Sequence, residues 1–416
     1  MKLPKYSLGV GDRFAHQGPA QLDALLRAAE RGVSVTPVWN KSHREHTIVG
    51  SSPGDVRTAA AAACKARNWS GPFFVDADHI GLKNVGPFLE SSDFFTLDVA
   101  DCIGAAPAAE DLARFIARHK HYVGRLPVPG LDAPLEISEV TIARTGQKFL
   151  RAAQRAGEIY RYIAQAKGPA PFVTEVSLDE TDTPQTPVEL FLILAAVAGE
   201  GVPLQTIAPR FSGSFHKGVD YQGDVGQFAR EFDQDVAVLA LARQEFALPE
   251  NLKLSVHSGS DKFSLYGPMH DVLRRREAGV HLKTAGTTWL EELIGLALAG
   301  GDGLQIAKDV YAQALPRFDE LAAPYAAVID IDRRRLPAAE TVRAWDGPAF
   351  AAALRHDRGC AAYNPHFRQL LHVAYKVAAE MGPRLIAALE RHAELIAQNV
   401  SENLYQRHLR PLFFGE

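Results

Sequence analysis

Eight short apolar or β-branched runs punctuate the chain between residues 6 and 288, each closing in polar residues and most leading into a segment of helical period. They are YSLGVGDRF (6–14), SVTPVWNK (34–41), PFFVDADHI (72–80), DFFTLDVAD (93–101), FVTEVSLDE (172–180), QTIAPRFSGSFHKG (205–218), LKLSVHSGSDKFS (252–264) and VHLKTAGTT (280–288). This alternation predicts β/α units on a parallel sheet, and eight units is the number that closes a barrel. The expected fold is α/β, a (β/α)8 TIM-like barrel over residues 1–303.

The intervening segments agree with that expectation. QLDALLRAAERG (21–32) repeats apolar residues on one face and stops at Gly32, whereas PVELFLILAAVAGEG (187–201) is apolar nearly all round, as a helix covered on several sides should be. WLEELIGLALAGGDG (289–303) stops at a glycine pair. Residues 105–140 break the pattern with Pro107, Pro127, Pro129 and Pro134 and are read as an excursion after the fourth strand. From residue 304 to 416 helical period dominates, and 367–409 predicts two or three amphipathic helices broken near Gly382 and Pro383. This helical extension is expected to pack on the barrel or at a subunit interface of a homo-oligomer.

Composition narrows the function classes. A chain of 416 residues with 47% hydrophobic and 23% charged residues can bury a large core. A net charge of −4 without a basic aromatic stripe argues against nucleic acid as a partner. No window reaches the roughly 20 apolar residues of a membrane span, and the N-terminus lacks a signal-peptide core. Cys64, Cys102 and Cys360 match neither a zinc motif nor a disulfide framework, so a cytoplasmic location is expected.

In a (β/α)8 barrel, chemistry gathers where the strands end. Histidines and acids crowd those ends: Asp76, Asp78 and His79 after the third run, Glu175 in the fifth, His216 and Lys217 after the sixth, His257, Asp261 and Lys262 after the seventh, and Lys283 in the eighth. His79, His216 and His257 come from three strands and can converge on one divalent ion with positions left open for substrate oxygens. Each taken alone is as often structural as ligating, so the argument rests on the three together. Imidazoles suit zinc, nickel, manganese or iron, and no thiolate selects among them.

Asp76 and Asp78, two apart, share one face of an extended strand. Asp78 is assigned proton transfer and Asp76 a supporting role; Glu175 is the best partner acid or base, with an internal ion pair to a lysine as its alternative. Lys41, Arg44, Lys217, Lys262 and Lys283 predict an anionic substrate, a carboxylate above all. For Arg44 a solvated surface charge is the competing reading.

The motifs YSLGVGDRFAHQGPAQL, TPVWNKSHREHTIVG, FFVDADHIGL, SDFFTLDVADCIG, FVTEVSLDET, FSGSFHKGVDY, SVHSGSDKFS and HLKTAGTTWLE, spread over the barrel, resemble the tagaturonate epimerase family. The resemblance implies a metal-dependent barrel enzyme of hexuronate catabolism that interconverts D-tagaturonate and D-fructuronate, with neutral ketohexoses (fructose and tagatose) as related substrates. It implies Asp78 as proton acceptor, Glu175 as proton donor, and His79, His216 and His257 as metal ligands. The inverted carbon lies β to the ketone, so simple enolisation does not acidify its hydrogen. A retro-aldol opening and re-closure is the favoured route, and direct proton abstraction by two groups on opposite faces is the rival. Two other classes stay open: a metal-dependent aldolase or lyase on a sugar acid, and a sugar-acid-binding protein with a structural metal.

Overall fold

The computed structural model describes residues 1–284 and 286–416. Ten strands follow in chain order: β1 (Tyr6–Val10), β2 (Thr36–Ser42), β3 (Phe74–Ile80), β4 (Phe94–Asp98), β5 (Gly124–Leu126), β6 (Leu135–Ile137), β7 (Val173–Ser177), β8 (Thr206–Ala208), β9 (Lys253–His257) and β10 (Val280–Lys283). All but β5 and β6 form one closed barrel in the order β1-β10-β9-β8-β7-β4-β3-β2, and each of the eight runs read from the sequence holds one of its strands. The neighbours are parallel, and β1 closes the ring by pairing with both β10 and β2.

The helices follow from local signals. Thr186 caps the helix Pro187–Gly199 and Glu189 reaches back to complete a capping box, with proline in the first turn where its missing N–H costs nothing. The excursion contains a helix, Ala109–His119, and the antiparallel β5–β6 hairpin. It leads into the 29-residue helix Glu139–Lys167, which returns the chain to β7.

The C-terminal extension breaks at Gly382, φ +54°, as its sequence predicts. Its 365–402 stretch is more divided than expected: Pro365–Val373, Tyr375–Glu380, Pro383–Arg391 and Ala393–Glu402 are separate short helices. They lie against the barrel; Trp289 Nε1 donates to Leu371 O at 2.8 Å. Among the described residues no helix is long and apolar enough to cross a membrane.

Inside the barrel the side-chain period of two sorts each strand into an outer face toward the helices and an inner face toward the axis. Leu3, Val38, Phe74, Phe94 and Val173 make an apolar floor. One pleat higher on the same strands, the inward positions become Asn40, Asp76, Thr96 and Glu175, all at most 3% exposed. The polar strand ends therefore sit on a dry base and open toward the loops.

Candidate active site and metal group

Lys283 stands at the centre of the polar layer. Its Nζ lies 2.8 Å from Asp76 Oδ2, 2.8 Å from Asp78 Oδ1 and 3.0 Å from Glu175 Oε1, and donates to Thr96 Oγ1 at 2.6 Å. The path to this position exists because residue 9 is glycine: a Cβ there would stand 2.8 Å from Lys283 Cγ. Four strands thus contribute to one cluster. Of the two sequence readings of Glu175, the internal ion pair with a lysine is present, and the same arrangement sets it beside Asp76 and Asp78.

The three carboxyl groups are not equivalent. Burial together with the charges of Asp78 and Glu175 outweighs Lys283 at Asp76 and pushes its carboxyl up to about 7. Burial acts upward on Asp78 and Glu175 too, but Lys283, joined by His79 at Asp78 and His257 at Glu175, holds both well below the usual carboxylate range. Two ionised carboxylates and one easily protonated carboxyl therefore share one ammonium. Separating the proton affinities of neighbouring acids in this way is what acid–base chemistry near neutrality requires.

The imidazoles extend the cluster toward the mouth. His79 Nδ1 bonds to Asp78 Oδ1 at 2.9 Å and His257 Nε2 to Glu175 Oε1 at 2.8 Å. Burial disfavours the charged rings, but Asp78 and Asp179 raise the proton affinity of His79, and Asp179 and Glu175 that of His257; a bound cation would take the place of the proton on His79 Nε2 and on His257 Nδ1. Both face Asp179, at 3.8 Å from Oδ1 and 3.2 Å from Oδ2. His257 Nδ1 is buried and makes no well-formed hydrogen bond. Ligand atoms of His79, Asp179 and His257 all lie within 4.8 Å of one another. Two imidazoles and a carboxylate, each ring fixed by a carboxylate on its far nitrogen, fit a divalent transition metal.

His79 reaches this position through backbone distortion. Consecutive residues of a flat strand point to opposite faces, yet Asp78 and His79 both serve the site. A register shift between Ala77 and Ile80 in the β3–β4 pairing and φ +54° at His79 turn the ring inward. Bulges that re-aim a side chain, and left-handed non-glycine residues, concentrate at functional sites.

Other expected site residues lie elsewhere. The sixth run forms a strand only over Thr206–Ala208, so His216 and Lys217 lie in the following loop, and the ring of His216 does not join the His79–Asp179–His257 group. Lys262 is fully buried and donates to His216 O at 3.0 Å and Val219 O at 2.8 Å, so it braces that loop instead of facing substrate. Lys41 points out of the barrel and donates to Arg13 O at 2.8 Å. Arg44 is exposed; it donates to Pro324 O at 3.1 Å and lies over the Tyr325 ring. Lys217 Nζ also lies over the Tyr325 ring, 5.6 Å from its centroid.

Asp179 and Thr96 were missed by sequence reasoning. Asp179 follows β7 by two residues, and the rule that singled out the other strand-end acids applies to it equally. Thr96, with Oγ1 3.0 Å from both oxygens of Asp76 and 3.1 Å from Glu175 Oε1, carries no sequence signal, because a threonine inside a strand is ordinary.

Comparison with known proteins gives the same direction. A family model described as tagaturonate epimerase matches residues 1–412. The tagaturonate/fructuronate epimerase of Thermotoga maritima is 27% identical over 420 residues, covering 97% of this chain and 80% of that protein. The native crystal structure of fructuronate-tagaturonate epimerase UxaE from Cohnella laeviribosi superposes with a TM-score of 0.81 at 25% identity, covering 99% of this chain and 82% of the other. A glycerol complex of the same enzyme superposes at 0.80 with 24% identity, covering 99% and 82%. With a barrel whose strand ends carry paired acids and a family match running almost end to end, the chain belongs to the tagaturonate epimerase family and is a carbohydrate epimerase.

Proposed function

We propose that the chain interconverts D-tagaturonate and D-fructuronate in hexuronate catabolism, with neutral ketohexoses as secondary substrates. The observation that carries this reading is the linkage of Asp78 and Glu175 to both Lys283 and the His79–Asp179–His257 group. A divalent cation held by that group would act as a Lewis acid on the substrate ketone. The remaining work falls to the chain's own residues.

Asp78 uses Oδ1 for Lys283 and His79, and Glu175 uses Oε1 for Lys283, Thr96 and His257. Glu175 Oε2 has no partner among the described residues. One oxygen of each acid is thus left for substrate. Because Lys283 keeps both acids ionised, either can take the proton of the β-hydroxyl as the intervening carbon–carbon bond opens. The proton passes by exchange through the Lys283 ammonium, which touches both acids, and the other carboxyl gives it to the alkoxide formed when the fragments rejoin at the opposite face of the aldehyde. The apolar floor and the closed barrel keep bulk water from the opened fragments.

The test is incubation of purified protein with D-fructuronate before chelation, after chelation, and after adding back zinc, nickel, manganese or iron singly, with tagaturonate followed by chromatography. Metal-restored tagaturonate is the expected result, and Asp78→Asn and Glu175→Gln each lower kcat by about 10²–10⁴. Release of a free aldehyde in place of tagaturonate would instead identify a lyase. Reaction in deuterated water without label at the inverted carbon separates the retro-aldol route from direct abstraction.

A further inference from the structure

The mouth of the barrel holds positive charge that its own acceptors do not satisfy. Arg13, in the loop after β1, is 7% exposed. Its Nε lies 3.3 Å from Glu45 Oε1, yet neither Nε nor Nη1 makes a well-formed hydrogen bond with any described residue. Glu45 is also committed elsewhere, its Oε2 accepting from Ser42 N at 3.0 Å and Ser42 Oγ at 3.2 Å to cap the next helix.

His372, from the C-terminal extension, is 1% exposed, and among the described residues neither of its ring nitrogens has a hydrogen-bond partner, Nε2 lying against Gly286. Burial, then the charges of Arg13, Lys217, Arg368 and Lys262, keep it neutral. Of those cations, Arg368 and Lys262 are saturated by carbonyls and Asp261. Arg13 and Lys217 are not. Burial lowers the proton affinity of Lys217, and Glu45 and Asp78 act against this lowering while Arg13 adds to it.

Two tyrosines of the extension back this patch. Tyr375 carries the Arg13 guanidinium 4.3 Å from its ring centroid, Tyr325 carries Lys217, and their hydroxyls bond to each other at 2.9 Å. Buried polar groups are nearly always partnered, and a desolvated guanidinium without acceptors is costly. An anion arriving from outside would satisfy Arg13 and Lys217 together, since the two tyrosines that carry them meet at their hydroxyls. The fork of an arginine suits a carboxylate in particular.

We infer that Arg13 and Lys217, backed by Tyr375 and Tyr325, form the seat of the substrate's terminal carboxylate, so that the barrel and the C-terminal extension together select a sugar acid over a neutral sugar. The identity of the substrate rests on the epimerase reading; the anion seat does not. Binding of a carboxylate to a charged donor accounts for about 10–100-fold in affinity.

The test uses the metal-loaded full chain and two measurements. In the first, Arg13→Gln and Lys217→Met raise KM for D-fructuronate about 10–100-fold and lower kcat by much less, and Arg13→Lys recovers part of the loss. A fall in kcat at unchanged KM would overturn the assignment. In the second, calorimetry compares D-gluconate with D-glucitol, which differ at the terminal carboxylate. The wild type prefers gluconate by at least about tenfold and Arg13→Gln abolishes the preference. If no fructuronate is turned over but the gluconate preference and its loss persist, the epimerase reading has failed and the seat stands. Equal binding of the two probes by the wild type refutes the seat.

Discussion

Arg368→Met is the substitution whose consequence is best determined by the geometry. Arg368 and Asp261 are both fully buried and paired at 2.7 Å. The same guanidinium donates to Gly218 O at 2.6 Å and Leu354 O at 2.8 Å, so one side chain ties the loop after β8, the loop after β9 and the extension together. Asp261 is held well below the usual carboxylate range, with Arg368 and then His356 and His408 overcoming the upward effect of burial. Methionine fills similar volume but leaves that carboxylate without its strongest partner. Breaking a buried pair from one side costs about 3–5 kcal/mol. At about 2.1 cal/mol/K per residue, cooperative unfolding of 416 residues carries about 0.9 kcal/mol/K, so the midpoint falls by about 3–6 °C. Differential scanning calorimetry at pH 8, checked by a urea midpoint, measures it. Arg368→Lys restores less than half of the loss, because one ammonium cannot reach three acceptors in the plane of a guanidinium. An unchanged midpoint, or full rescue by lysine, would show that the C-terminal helices are held by packing alone.

Three further outcomes follow from other parts of the barrel. Gly9→Ala forces a methyl against Lys283 Cγ; it is expected to destabilise by about 1–3 kcal/mol and to lower kcat, and unchanged urea denaturation would remove the packing argument. Burial holds the His281 imidazole neutral down to about 3, against 6.5 ordinarily. Below about 6.5 the unfolded chain takes up a proton that the native ring refuses, so stability falls as pH drops from 6.5 toward 3, by up to about 1.4 kcal/mol per unit. His281→Gln should flatten this part of the profile relative to wild type, and parallel profiles would contradict it. Asp179→Asn removes the carboxylate that faces both imidazoles and should weaken divalent-metal affinity by more than the roughly 10–100-fold lost with an outer-shell partner; a chromophoric chelator reads the change, and unaltered affinity would exclude Asp179 from the group.

Much of the site was legible because strand ends are local. Asp76, Asp78 and His79 follow Phe74 and Val75 within one run, and the period of two already sets both aspartates on one face. Lys283 was legible as a basic residue at a strand end, but its partners were not. They come from β3, β4 and β7, and the registers that bring them together exist only when the barrel closes. His216 and Lys262 show the opposite failure. Apolar and polar residues continue past β8 and β9 in a way that resembles more strand, whereas the backbone there turns into loop and spends Lys262 on carbonyl oxygens.

The sequence by itself determined the eight barrel strands, the polar character of their ends, the glycine break in the extension and the family, since each depends on residues near one another in the chain or on whole motifs. Tertiary structure alone decided that one ammonium binds three acids, that Asp179 joins His79 and His257, that a bulge turns His79 inward, and that the bonded pair Tyr325 and Tyr375 carries Lys217 and Arg13. These are contacts between groups far apart in sequence. Their existence depends on barrel closure and on the competition of buried charges for a few partners, and neither leaves a periodic trace in the chain.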